Sequence, residues 1–197
     1  MLKELNIPEL NSKLSPGRSG VLNCFQLFLK SKRKDCFALY GFGTASDEIK
    51  DETLNEFHRA GDMLDRRYFL GLDNHELWVD GKLIGLCNIF SDVSPLNSGI
   101  EICTSLEAVF LLRQFRGFGL GSSFIDCIWD DLEAGYTVAI AEAVGANAED
   151  FIVRLLADFD SPEGEWVFNH LRSHIEPFIE TASAAFQIKI DLEVDAG

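Results

Sequence analysis

The sequence predicts a mixed α/β fold of the α+β kind, in which one layer of sheet carries helices on its faces. Three observations lead there. Two apolar runs flank Asp80-Gly81 in HELWVDGKLIGLCNIF, and that dipeptide favours the tight turn of a β-hairpin. The apolar segment LEAVFLL (106–112) then enters a glycine-rich turn and a helical pattern, SSFIDCIWDDLEAG. Near the end, AFQIKIDLEV alternates apolar and polar residues with the period of a strand.

Taken in order, SPGRSG (15–20) breaks the chain early, and GVLNCFQLFLK reads as a short helix with Val21, Leu22, Phe25, Phe28 and Leu29 inward. CFALYGF (36–42) is a strand candidate closed by glycine. Ser46 is a good N-cap for one long or two short helices over 46–67, where Ile49, Leu54, Phe57 and Leu64 recur at helical spacing. The hairpin follows, then the strand at 106–112. The next helix is expected to stop at Gly135, with YTVAIAEAV as a strand after it. AEDFIVRLLADF and GEWVFNHLRSHIEPFIETA read as helices before the final strand. Neither repeat nor linker interrupts the 197 residues, so a single domain over 1–197 is expected, with 1–45 as an N-terminal extension and 161–197 as a C-terminal helix and strand.

Composition narrows the function. No stretch approaches the roughly 20 apolar residues of a membrane span, and the first residues lack the apolar core of a secretory signal, so a cytoplasmic protein is expected. The five cysteines are odd in number and never form C-x-x-C, which suggests neither a disulfide framework nor a zinc site. His170 and His174 stand one helical turn apart and are able in principle to share a metal, but no third ligand is indicated and no metal is expected. Net charge is −15, and from Ala141 onward 12 acidic residues face 3 basic ones. Such a field repels phosphate backbones and attracts cations, so nucleic acid is not an expected partner and an amine substrate is electrostatically reasonable; the same acidity equally fits charge that simply keeps the protein soluble. The basic cluster Lys30, Lys32, Arg33 and Lys34 reads as a helix C-terminal charge rather than a recognition patch.

FRGFGLGSS (115–123) holds the clearest chemical signal. Glycine lacks a Cβ, so it takes positive φ and lets a ligand approach the main chain. A tight turn opening a helix gathers unpaired amides at the positive end of the helix dipole, which suits phosphate oxygens. The glycines also fit a plain strand-to-helix turn. The dinucleotide fingerprint fails because Ser122 stands where its last glycine belongs, and no lysine follows Gly121 as a P-loop requires. What fits is R-G-x-G-x-G from Arg116 to Gly121.

That pattern resembles the pyrophosphate-binding signature of the GNAT N-acetyltransferases, matched at Arg116, Gly119 and Gly121. The longer segment LEAVFLLRQFRGFGLGSS is similar to its counterpart in spermidine/spermine N-acetyltransferases, and the likeness covers about residues 70 to 160. The resemblance implies a mainly antiparallel, twisted sheet with helices on both faces and transfer of an acetyl group from acetyl-coenzyme A to an amine on a small molecule or protein. It also implies that the backbones of Val109, Phe110 and Leu111 meet the pantetheine arm, that amides from Gly117, Phe118, Gly119, Leu120, Gly121 and Ser122 take the pyrophosphate, and that Arg116 adds charge or pins the loop. Asn147, 31 residues past Arg116, matches a family asparagine that starts the helix after the next strand.

An alkylamine of pKa about 10 is almost wholly protonated at neutral pH, so a base is required. Glu107 is the leading candidate, against the plain reading of a sheet glutamate, with Glu101 and Glu142 in reserve. One departure matters: where many members carry a tyrosine that protonates the departing thiolate, this chain has Arg154, and Asp158-Phe159 replaces a Gly-Phe pair. Arg154 is either a cation for the thiolate or one member of an ion pair with Asp150 or Asp158. Two rivals follow, a non-catalytic acyl-coenzyme A-binding or sensing module and a nucleotide-binding protein. A homodimer is compatible with either.

Overall fold

The computed structural model describes residues 5–14, 20–29, 34–158 and 161–196. The break at 15–19, the side chains expected inward between Val21 and Leu29, the cluster from Lys30 to Arg33, and Phe159 lie outside that description. In chain order the elements are helix α1 (Ile7–Leu14), strands β1 (Gly20–Leu29) and β2 (Lys34–Phe42), helix α2 (Asp47–Arg59), strands β3 (His75–Val79), β4 (Lys82–Pro95) and β5 (Gly99–Leu111), helix α3 (Leu120–Gly145), strand β6 (Asp150–Ala157), helix α4 (Pro162–Phe186) and strand β7 (Ile190–Ala196). The fold is therefore mixed α/β, and among the described residues seven strands form one sheet in sequence order. β1 through β4 pair antiparallel, whereas β5, β6 and β7 pair parallel.

The hairpin forms as expected, with Asp80 at φ 49 and Gly81 at φ 77, the two positive values that a twist-matched two-residue turn needs. Ser46 caps α2 by accepting from the Ile49 amide, and Ser161 caps α4 in the same way through Gly164.

Three readings are corrected. Residues 20–29 are strand β1, not a helix; with only Asn23 and Gln26 polar between Val21 and Leu29, the apolar positions that fit a helical face fit a strand apolar on both faces as well. YTVAIAEAV belongs to α3, with Tyr136, Ala139, Ile140 and Ala143 buried at helical spacing. Gly135 does not stop that helix: a Cβ there would meet Leu14 Cα at 3.1 Å and Lys13 O at 3.2 Å, so the bare backbone lets α1 lie close against α3. Finally, DFIVRLLA is strand β6, in which Phe151, Val153 and Leu155 alternate inward.

By contacts the chain divides into two compact units, neither contiguous in sequence. The first comprises 1–17, 90–106 and 128–197. In it Asn11 places its side-chain amide against the backbone of Val93, donating to the carbonyl and accepting from the N–H, which fixes α1 to β4. A hydroxyl chain, Ser91 to Thr104 to Tyr136, satisfies the polar atoms of that core, and burial lifts the Tyr136 phenol to about 12. The second unit comprises 18–89 and 107–127 and contains the glycine turn. Its core includes Leu54, Phe57, Phe69, Leu77, Leu83, Phe110 and Phe124.

Candidate functional site

β5 pairs with β6 from Gly99↔Asp150 to Leu106↔Ala157, and there the register ends. Its last residues, Glu107–Leu111, run on beyond that final pair. Their side chains alternate: Ala108 and Phe110 are buried, Val109 and Leu111 half-buried, and Glu107 exposed. Phe110 packs against Phe57 at 4.7 Å and Phe69 at 5.3 Å between ring centroids.

On the other side, β4 shapes this segment. Its pairing with β3 passes from Leu77↔Gly85 to Trp78↔Leu83, leaving Ile84 as the extra residue of a bulge. The Ile84 carbonyl accepts from the Leu112 amide at 2.8 Å. Beside it, Gly85 admits the Phe110 carbonyl, which a Cβ would meet at 2.9 Å. The end of β5 is thereby held just before the turn.

In the turn, Gly117 and Gly119 take φ 79 and 82, conformations that L side chains rarely adopt. Nothing stands within 4 Å of where either Cβ would be, so the space above both is open. α3 begins at Leu120, and its first turn carries no acidic side chain to neutralise the helix start. Leu120 is buried, while Phe118, Gly121 and Ser122 are half-buried. The arrangement suits an anion held by main-chain N–H groups.

Arg116 serves the loop itself. Its Nε donates to the Leu111 carbonyl at 2.8 Å, its Nη2 to Asp62 at 3.1 Å, and its guanidinium lies 5.7 Å from the centre of the Phe57 ring. Asp62 also accepts from Arg113 at 2.9 Å, and Gln114 reaches Glu56 at 2.7 Å. The end of α2 and the segment after it thus anchor the residues that lead into the glycine turn. Sequence reasoning missed Asp62 and Glu56, because only the fold brings these carboxylates to residues more than fifty positions away.

The other predicted residues are placed as follows. Glu101 lies 2.9 Å from Arg154, and Glu142 binds Lys13. Arg154 is on β6 rather than a helix, and it also reaches Glu193 of β7 at 2.7 Å. The expected partners Asp150 and Asp158 are replaced by carboxylates on the two flanking strands. Its Nε makes no hydrogen bond among the described residues, so the Glu101 contact is one of charge proximity rather than a directed bond. Asn147 does not start a helix: it sits in the turn between α3 and β6, at φ 62.

A buried polar group underlies the start of α2. Glu76, fully buried, accepts from the Thr44 and Ala45 amides at 2.8 Å each, from the Thr44 hydroxyl, and from Trp78 Nε1 at 3.0 Å. Its neighbour His75 meets the Tyr40 hydroxyl through Nδ1 at 2.6 Å. Burial drives the His75 imidazolium down to about 3, so the ring is neutral at ordinary pH.

No family model and no curated protein matches the chain. Among solved structures it is similar to a ribosomal-protein-alanine N-acetyltransferase from Brucella melitensis biovar Abortus 2308, at 13% identity over 68% of this chain and 90% of that one, with a TM-score of 0.43. It is similar to a possible acetyltransferase from Clostridium difficile 630, at 13% identity over 68% and 89%, TM-score 0.39. An aminoglycoside acetyltransferase from an uncultured soil metagenomic sample, in complex with sisomicin, matches at 9% identity over 70% and 86%, TM-score 0.37. With identities and TM-scores this low, the chemistry of the site is taken from its own residues.

Proposed function

We propose that the chain is a cytoplasmic, single-domain acyltransferase of the GNAT type that moves an acetyl group from acetyl-coenzyme A to a primary amine on a small molecule or protein. One observation carries this reading. The five strand residues Glu107–Leu111 run past the last β6 pair and lead, through a pinned 3-10 turn, into two positive-φ glycines at a helix start without acidic residues. An extended arm containing amides and ending in a pyrophosphate calls for both parts. Strand-like backbone groups pair with the arm, and clustered N–H groups take the phosphates.

In this reading the backbones of Val109, Phe110 and Leu111 orient the arm, amides from Gly117 to Ser122 hold the pyrophosphate, and Arg116 fixes the loop through Leu111 and Asp62. Acetyl-coenzyme A supplies the activated thioester. Glu107, exposed on the strand leading to the turn, accepts the proton of the incoming ammonium. In this reading Arg154 is given no catalytic role and Asn147 no cofactor contact, since one bridges strands and the other turns the chain.

A binding module without turnover is the second reading. It is favoured by the tyrosines: Tyr40 and Tyr136 are fully buried, and only Tyr68 reaches the surface. Calorimetry with coenzyme A, ATP and NAD, followed by thiol release from acetyl-coenzyme A across a panel of amines, separates the possibilities. Coenzyme A binding with amine-dependent thiol release supports the enzyme. Binding without release supports the module. ATP or NAD bound in preference to coenzyme A would overturn both.

A further inference from the structure

We propose that His170 and His174 on α4 form a two-imidazole site for a divalent late transition-metal cation of the Ni2+, Cu2+ or Zn2+ class, with water completing the coordination. The site is independent of the acyl-transfer reading. The two histidines are separated by one helical turn, the spacing that puts side chains on one face. Their ligating nitrogens lie within 4.8 Å of one another. Zinc–imidazole bonds of about 2.0–2.1 Å place two tetrahedral nitrogens roughly 3.3 Å apart, so modest side-chain rotation closes the pair on an ion.

Two tryptophans prepare the rings. Trp166 stacks on His170 with centroids 5.2 Å apart and planes 8° from parallel, and Trp129 of α3 stacks on His174 at 5.9 Å and 10°. The two imidazoles meet edge to face at 5.2 Å. Stacking on separate indoles restricts each ring, which lowers the ordering entropy lost on binding. Both histidines are half-buried, so each is accessible from solvent. Imidazole nitrogen selects late transition ions over Mg2+ and Ca2+, which prefer oxygen. The net charge of −15 favours approach of any cation.

Trp129 and Trp166 are also the reporters. With any polyhistidine tag removed, Ni2+ or Cu2+ titrated into the full chain should quench tryptophan emission saturably at one equivalent, while Mg2+ should not. Zn2+ should raise the melting temperature, since a ligand of the native state stabilises it by mass action. His170→Gln and His174→Gln should each weaken Ni2+ binding at least tenfold while keeping the wild-type circular dichroism. A wild-type quenching midpoint in either folded variant, or quenching that never saturates, overturns the site.

Discussion

At the scale of single residues, the site is held by groups whose removal leaves distinct signatures. Gly119 combines open space with φ 82, so Gly119→Ala obstructs an approaching phosphate and strains the backbone by about 1–2 kcal/mol. Coenzyme A affinity and melting temperature should both fall. Asp62→Asn leaves the glycines untouched and weakens both arginine contacts, so affinity should drop with less loss of stability; unchanged affinity in calorimetry would remove Asp62 from the loop's support. Glu107→Gln keeps the shape and removes the proton acceptor, and turnover should fall about 10²-fold or more with coenzyme A affinity preserved. Near-normal turnover would refute that role. His75 gives a different prediction. Its folded pKa of about 3 lies below the unfolded value near 6.5, so the unfolded chain binds the proton first and stability is lost as pH falls from about 6.5 toward 3. One proton corresponds to about 1.4 kcal/mol per pH unit. Urea unfolding of wild type and His75→Gln between pH 6 and 4 should differ by that slope, and parallel curves would contradict it.

At the scale of elements, Gly135 sets how closely α1 and α3 lie. Gly135→Val drives a side chain into Leu14 and should cost roughly 1–3 kcal/mol. In a double-mutant cycle Leu14→Ala should recover part of the loss; strict additivity of the two changes would show that they do not meet. Gly135 is also where sequence reasoning went astray, since a helical glycine reads as a stop until a second helix is seen to need the space. Taking it as a stop hid the i, i+3, i+4, i+7 pattern of Tyr136, Ala139, Ile140 and Ala143. The opposite confusion affected β6, where Ile152 and Leu156 are half-buried on the second face and so blur the alternation of Phe151, Val153 and Leu155. The β3–β4 turn, the Ser46 cap and the strand leading to the glycine turn were legible because their signals are local. Arg116 was recognised from its motif, but its anchor Asp62, like the Glu56 that holds Gln114, depends on chain reversal and leaves no local trace.

At the scale of the whole molecule, a net charge of −15 makes self-repulsion a standing cost to the folded state. Salt screens it over about 10 Å at 0.1 M, so the melting temperature should rise by a few degrees between low salt and roughly 0.3 M NaCl. A fall would mean that ion pairs such as Arg113–Asp62 and Arg154–Glu193 outweigh the repulsion. The placement of α1 has a consequence in time. Asn11 meets a partner 82 residues away and Lys13 one 129 residues away. At about 5–20 residues per second of synthesis, α1 waits on the order of ten seconds or more before its last partner exists. Loop closure over such separations is slow in refolding too. Pulse-labelled amide exchange should therefore find Leu10 to Leu14 protected after the β3–β4 hairpin, and simultaneous protection would show that α1 docks as early as the local turn closes.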